Sequence, residues 1–226
     1  KCKDDQFPTE QLEQAGYHLA FHGLNQWNGV AVISRYQITD VKVAFPGQPT
    51  FKDVVEARAL GVTVAAPGGP LTVWSLYVPN GRELDDPHYQ YKLEWLTQLK
   101  DVAAGWVKEE PEAQIALVGD WNIAPLDVDV WDPKIFVGNT HTSPAERAAL
   151  AAFGNAQFTE VTRDLVTNYT YWDYQRLRFP KNEGMRIDFV YASPALAARV
   201  TGAEIDRNER KGKGASDHVP VIVDID

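Results

Sequence analysis

An α+β fold is predicted for this chain, a four-layer α/β/β/α sandwich of two packed mixed β-sheets flanked by helices. Three observations predict it. Short β-branched segments recur along the 226 residues, punctuated by turn residues such as PGGP at 67–70. Helical patterns interrupt these segments irregularly instead of alternating with them one for one. No repeat, low-complexity tract or long linker divides the chain, so residues 1–226 read as one domain. A hydrophobic content of 44%, with 11% aromatic residues, is enough to fill a substantial core.

The expected strands, in order, are GVAVIS at 29–34, VKVAF at 41–45, ARALGVTVA at 57–65, LTVWSLYVP at 71–79, QIALVGDW at 114–121, MRIDFVYAS at 185–193 and VPVIVDID at 219–226. The clearest helix spans Asp86 to Lys108, with Leu93, Leu96, Lys100, Ala103 and Val107 near one stripe and Pro111 beyond its end. Ser143, Pro144 and Glu146 form a capping-box signature for a second helix. Ser193 and Pro194 announce a short third one.

Composition narrows the partners. Cys2 is the single cysteine, so neither an intrachain disulfide nor a cysteine-built zinc site can form, which favours a reducing, cytoplasmic setting. No apolar run is as long as a membrane span, and KCKDDQFPTE lacks the layout of a signal peptide. The net charge of -9 argues on average against a polyanionic partner. Basic residues nevertheless gather late in the chain, at Arg176, Arg178, Lys181 and Arg186 and again at Arg207, Arg210, Lys211 and Lys213, so a local basic face is compatible with it.

Chemistry concentrates at strand ends. In IALVGDWNIAP (115–125) an acid and an amide stand two positions apart, and in extended chain Asp120 and Asn122 would share a face while Trp121 points away. Asp120 could hold a hard cation or accept a proton from water, and Asn122 could donate to a phosphate oxygen; an Asx turn suits the same two residues. In GASDHVPVIVDID (214–226), Asp217 and His218 precede the last strand. Neighbours in extended chain point apart, so a catalytic His218 needs a carboxylate from another strand. Asp188 is the best candidate, the alternative being a buried ion pair of Asp188 with Arg186. Tyr77, in SLYVPNGREL (75–84), occupies a strand end like that of Asp120 and could aim a phenol into the same cleft, or simply fill the core.

Taken together, GDWN, SDH, RIDF and YVPNG, with KCKDDQFP, FHGLNQWNGVAVIS, NYTYWDYQ and EGMRIDFVYAS, resemble the exonuclease III family of AP endonucleases, within the endonuclease/exonuclease/phosphatase superfamily. The resemblance runs in order over essentially the whole chain. It implies a Mg²⁺-dependent phosphodiesterase, with Mn²⁺ as a substitute, that acts as a monomer on duplex DNA with abasic sites or 3′ ends. Such an enzyme cuts 5′ to the abasic site and commonly carries 3′–5′ exonuclease and 3′-phosphatase activity.

By matching motif, the resemblance implies that Asp120 activates the attacking water, that Asn122 and His218 stabilise the phosphorane oxygens, that Tyr77 bears on the phosphate or leaving group, and that Asp188 orients His218. Asp120, Asn122, Asp217 and His218 surround the metal. Tyr171, Met185 and Ile187 line the pocket for the flipped abasic sugar, and Arg82, Arg176, Arg178 and Lys181 face the duplex. It also implies that the chain is truncated at its N-terminus. Lys1 matches the Lys of the family's Gln-Glu-Thr-Lys motif, so the metal-ligand Glu and a preceding Asn-bearing strand are expected to be missing. A DNA-binding remnant without catalysis, and a phosphodiesterase of the same superfamily acting on a lipid or inositol phosphate, are the competing readings.

Overall fold

The computed structural model describes all of residues 1–226, and its strands organise around one six-stranded sheet. In chain order they are β1 (His18–Asn25), β2 (Asn28–Ser34), β3 (Ile38–Val43), β4 (Ala59–Ala66), β5 (Gly69–Tyr77), β6 (Gln114–Asp120), β7 (Thr159–Glu160), β8 (Asp188–Ala192), β9 (Val200–Ile205) and β10 (Val221–Ile225). The α-helices are α1 (Thr9–Gln14), α2 (Pro87–Glu109), α3 (Pro144–Ala151), α4 (Arg178–Lys181) and α5 (Pro194–Ala197). The large sheet has the order β3-β4-β5-β6-β8-β7. Only β5 and β6 run parallel in it, and α2 supplies the crossover that a parallel pair requires.

Period-two alternation divides this sheet into two faces. Trp74 and Leu76, Ile115 and Leu117, and Phe189 and Tyr191 turn toward α2 and α3 and form the main core with Trp95, Leu96, Leu99 and Leu150. Asp86 caps α2 by accepting from the His88 N–H at 2.7 Å, with Pro87 at the first helical position. The buried stripe of α2 runs through Tyr91, Lys92, Trp95, Leu96, Leu99, Ala103 and Val107. Leu93 and Lys100, assigned to that stripe from spacing, are half-buried on its flank, because the large Trp95 ring takes the centre of the contact. The predicted capping box of α3 is present: Glu146 N–H donates to Ser143 Oγ at 3.2 Å, and Ser143 N–H donates to a Glu146 carboxylate oxygen at 3.1 Å.

The opposite face carries two antiparallel hairpins, which complete the expected layered α+β sandwich. β1 and β2 pack Ala20 and Val30 on Leu60, Val62 and Val64 of β4. β9 and β10 bring Ile225 against Ala116 and Ala192. The hairpins do not pair with each other, so β2 and β10 each keep one unpaired edge. Leu71, Val73 and Val118 on the sheet face below remain half-buried.

Several boundaries differ from the sequence reading. The 41–45 segment shifts to Ile38–Val43, since Ala44 turns the chain at φ 66° and drops Phe45 into the core beside Trp95. Met185 to Ile187 are not part of the ladder that begins at Asp188; Met185 instead forms isolated bridges with Tyr171 and Val130. β1, β7, β9, α1 and α4 are additional elements. Their sequences (HLAFHGLN, TE, VTGAEI, TEQLEQ, RFPK) are short or interrupt the apolar pattern with polar residues and glycine, so local pattern alone marks them weakly.

Candidate active site

Strand register sets out the first three site residues. Tyr77 of β5 is the parallel partner of Asp120 in β6, and Asp120 is the antiparallel partner of Asp188 in β8. All three lie in one row across three adjacent strand ends. Alternation turns them away from the α2 face, toward the side that bears the hairpins. Gly119, just before Asp120, admits no side chain: at φ 137° one would be strained, and a Cβ would collide with the Leu76 carbonyl oxygen of the neighbouring strand.

His218, on the segment that leads into β10, completes the row. Its Nδ1 lies 2.8 and 3.0 Å from the two Asp188 carboxylate oxygens, and its Nε2 is 3.8 Å from Asp120 Oδ2. Thr170 Oγ1 donates to Asp188 Oδ2 at 2.6 Å and accepts from the Ile187 and Asp188 N–H groups at 3.1 and 3.2 Å. Asp188 is thereby fixed from two sides, and the alternative ion pair with Arg186 does not form. Arg186 is fully buried elsewhere and donates to Glu160 and Thr162.

Electrostatics follow the geometry. Burial alone would lower the His218 pKa, but the Asp188 charge and hydrogen bond, helped by Asp120 and Asp217, raise it to about 9. His218 is therefore an imidazolium at neutral pH, with Nδ1–H committed to Asp188 and Nε2–H free to donate into the cleft. Burial and the neighbouring Asp188 charge raise Asp120 to about 6, against the pull of His218 and of the Asn122 N–H.

Asn122 departs from the expectation that it shares a face with Asp120. β6 ends at Asp120 and Asn122 is left-handed at φ 52°, so the two residues are not in extended register. The turn alternative is the one realised: Asn122 N–H donates to Asp120 Oδ1 at 2.8 Å, an Asx turn. The Asn122 amide then folds back, donating to Asp120 Oδ2 at 3.0 Å and to the Val78 carbonyl at 2.9 Å, while its Oδ1 accepts from Asn80 Nδ2 at 3.2 Å. At 4% exposure, with both amide protons used, Asn122 orients Asp120 in this arrangement.

The row opens into a cleft of about 420 Å³, lined by Gly29, Val30 and Ala31 of β2, Ser75 to Tyr77, Asp120, Asp188 and Ser216 to His218. Lys1 also lines it, its Nζ 4.5 Å from the Tyr77 ring centroid. Burial would lower the Lys1 pKa, but a hydrogen bond and charge from Tyr77, with Asp120 and Asp217, raise it. The cleft thus favours a cation. As a donor set for Mg²⁺ it is open: no three His, Cys, Asp or Glu side chains converge closely enough to hold an ion by themselves. Asp120 and the half-buried Asp217 fit a hard ion that keeps most of its water and binds through one or two carboxylates plus substrate phosphate.

Beside the cleft, the Tyr171 ring lies 4.9 Å from the His218 ring. Tyr171 packs with Met185 and Ile187 against Ala124 and Val130 in one apolar cluster, in which Met185 and Ile187 are buried. Of the four basic residues, Arg82, Arg176 and Lys181 are exposed. Arg178 is half-buried, paired with Glu183 at 2.5 Å and set 4.9 Å above the Trp131 ring, and so is less free to meet a phosphate than expected. Arg176 and Leu177 both adopt left-handed backbone, at φ 57° and 55°, and both are exposed.

Sequence reasoning overlooked Thr170, Asn80 and Arg58. The first two stand inside quoted motifs, NYTYWDYQ and YVPNG, but a side chain that serves another side chain leaves no mark of its own. Arg58 is 5% exposed, donates to Glu56 at 2.6 Å and lies 4.8 Å from the Tyr77 ring.

Comparison with known proteins identifies the family. The family model described as Endonuclease/Exonuclease/phosphatase family matches residues 2–218. Exodeoxyribonuclease III of Haemophilus influenzae is 28% identical over 236 residues, covering 98% of this chain and 85% of that protein. The DNA repair nuclease APEX1 of Danio rerio is 26% identical over 232 residues, covering 99% and 70%. Among solved structures, the 3′ phosphatase NExo from Neisseria bound to product DNA hairpin superposes with a TM-score of 0.91 at 31% identity, and an AP endonuclease from Archaeoglobus fulgidus with 0.90 at 30%; each covers all of this chain and 86% of its own. The chain therefore belongs to the Endonuclease/Exonuclease/phosphatase family, in its exonuclease III branch.

Proposed function

We propose that this protein is a Mg²⁺-dependent DNA repair phosphodiesterase that cuts duplex DNA 5′ to abasic sites, with 3′–5′ exonuclease and 3′-phosphatase activity at DNA ends. The observation that carries the reading is the Tyr77–Asp120–Asp188 row with His218 bridging its acids. Asp120, at the centre of the row and held by the Asn122 turn, aligns the attacking water and takes its proton. The His218 imidazolium donates through Nε2 to a non-bridging phosphoryl oxygen, stabilising the charge that develops there, while Asp188 holds the ring in place. The Tyr77 phenol hydrogen-bonds the phosphate from the other end of the row. Mg²⁺, bound near Asp120 and Asp217, would supply further neutralisation of that charge when present.

Tyr171, Met185 and Ile187 would form the apolar wall against which a baseless sugar fits and a full nucleotide does not. Arg82, Arg176 and Lys181 would meet duplex phosphates. The same reading takes residues 1–226 as one domain. The competing reading is a DNA-binding remnant without catalysis. A labelled duplex with a single tetrahydrofuran abasic analogue, incubated with Mg²⁺ or with EDTA, separates them. Metal-dependent incision 5′ to the analogue supports the nuclease, and tight binding without incision supports the remnant.

A further inference from the structure

A charged pair that the proposed chemistry does not use lies directly behind the site. Lys92 of α2 and Glu146 of α3 are both 0% exposed, with Lys92 Nζ 2.5 Å from Glu146 Oε1. The ammonium has three N–H bonds and three acceptors: Glu146, the Asn122 carbonyl at 2.7 Å and the Asn80 carbonyl at 3.1 Å. Glu146 is equally occupied, accepting from Thr140 Oγ1 at 2.7 Å, His141 N–H at 2.9 Å and Ser143 N–H at 3.1 Å. Two buried charges thus join four segments, namely α2, the turn after β5, the turn after β6 and the 140–146 lead into α3.

Both backbone carbonyls that Lys92 grips belong to residues that set Asp120. Asn122 holds both Asp120 oxygens, and Asn80 holds Asn122 Oδ1. The left-handed backbone of Asn122 aims its carbonyl at the ammonium. A well-packed apolar pair of the same volume would often serve stability as well or better, so burial of two charges at this place calls for a different use.

We propose that Lys92 and Glu146 are a positioning pair for the proposed catalytic carboxylate, fixing the turn after β6 so that Asn122 presents Asp120 to the phosphate. They touch no substrate and act only through Asn122 and Asn80. The inference rests on the proposed nuclease reading, and its test is built to fail separately from that reading.

The test uses Lys92→Met/Glu146→Gln, which removes both charges at nearly constant volume, and Leu99→Ala, a cavity variant on the same helix that weakens packing away from the turn. Single-turnover cleavage of the tetrahydrofuran duplex is measured at saturating enzyme and Mg²⁺, together with Kd for the duplex. The double variant should be folded and bind within about threefold of the parent, yet cleave at least about 100-fold more slowly, the scale of an ångström-sized misplacement. Leu99→Ala should cleave within about twofold of the parent at a temperature where it remains folded. Cleavage by the double variant within about threefold of the parent would overturn the proposal, as would a loss shared equally by Leu99→Ala. If the double variant does not fold, Glu146→Gln alone is put through the same assay, and failure of that variant to fold would also overturn the positioning role. If the parent does not cleave, the nuclease reading fails and the pair is judged by the side-chain amide resonances of Asn80 and Asn122. Large shifts and faster exchange in the double variant support positioning, and unchanged resonances overturn it.

Discussion

Asp188→Asn should move the titration of His218 by at least about two pH units. In the native arrangement the imidazole sits at about 9 although burial pushes it the other way, and Asp188 is the largest of the groups that hold it up, at 2.8 Å. The change keeps the shape and a hydrogen-bond acceptor but removes the charge. Burial then opposes only the more distant Asp120, at 3.8 Å, and Asp217, so His218 should titrate near or below its ordinary 6.5. The difference between 6.5 and about 9, at about 1.4 kcal/mol per pH unit, is on the order of 3 kcal/mol. The sign follows from linkage. A folded-state pKa above the unfolded one adds stability that is complete below pH 6.5 and is lost as pH rises through about 9. Between pH 6 and pH 10 the parent should therefore lose this contribution, and Asp188→Asn should lose little of it. The assay is an NMR titration of ¹³C-labelled histidine in EDTA, with His218→Gln for assignment, beside denaturant unfolding at both pH values. A His218 resonance in Asp188→Asn that titrates within half a unit of the parent would refute the assignment of the charge coupling to Asp188.

Other perturbations test the remaining parts. Asp120→Asn should lower Mg²⁺-dependent incision by at least about 10³-fold with abasic-duplex affinity within about threefold, since the amide can still accept from Asn122 N–H but cannot take a proton from water; activity within tenfold of the parent would rule out the base role. His218→Ala and Asp188→Ala combined should be little worse than the poorer single variant, because the ring and its carboxylate act as one unit; additive losses in single-turnover rate would separate them. Arg176→Ala with Lys181→Ala should flatten the slope of log affinity against log salt by roughly 1.8, at about 0.9 per lost phosphate contact. Arg178→Ala should change that slope less, because Glu183 and Trp131 already occupy the guanidinium. His88 is held down to about 4 by burial, with Arg58 and Arg82 adding to it, and its Nδ1 accepts from Gly81 N–H. A lowered histidine adds stability above pH 6.5 that disappears as pH falls through about 4, so His88→Gln should flatten the fall in unfolding free energy over that window.

What could be read from the chain alone depended on whether a residue acts through its own position or through a neighbour. Strands such as 57–65 and 71–79 were legible because a buried strand needs little beyond β-branched residues between turn signals, and α2 was legible because its cap, its proline and its apolar stripe agree. Asp120, Asp188, His218 and Tyr77 stood out as polar groups at the ends of apolar runs, where burial without purpose is costly. Pairing between strands is a long-range property that local pattern does not contain. Hence the division of the second layer into two hairpins, and the common row of Tyr77, Asp120 and Asp188, appeared only with the register. The turn at Asn122 has the same origin: the rule that residues two apart share a face holds only while the strand continues, and this strand stops at Asp120.

Lys92 shows where a sharper reading was available. Positions 88, 91, 92, 95, 96 and 99 form the inward face of α2, and a lysine among them breaks the apolar pattern at a site that no water reaches. Its long stem cannot reach solvent from 0% exposure, so its charge must be met inside the molecule, and one carboxylate satisfies only one of its three donors. The other two must find carbonyls that no helix or ladder already uses. Such free carbonyls occur where regular structure has just ended, which in this fold means the turns after β5 and β6 that carry Asn80 and Asn122. A buried lysine on a helix that crosses between two parallel strands is thus physically drawn to the strand ends, and in an α/β arrangement the ends of those strands are where the reacting groups stand.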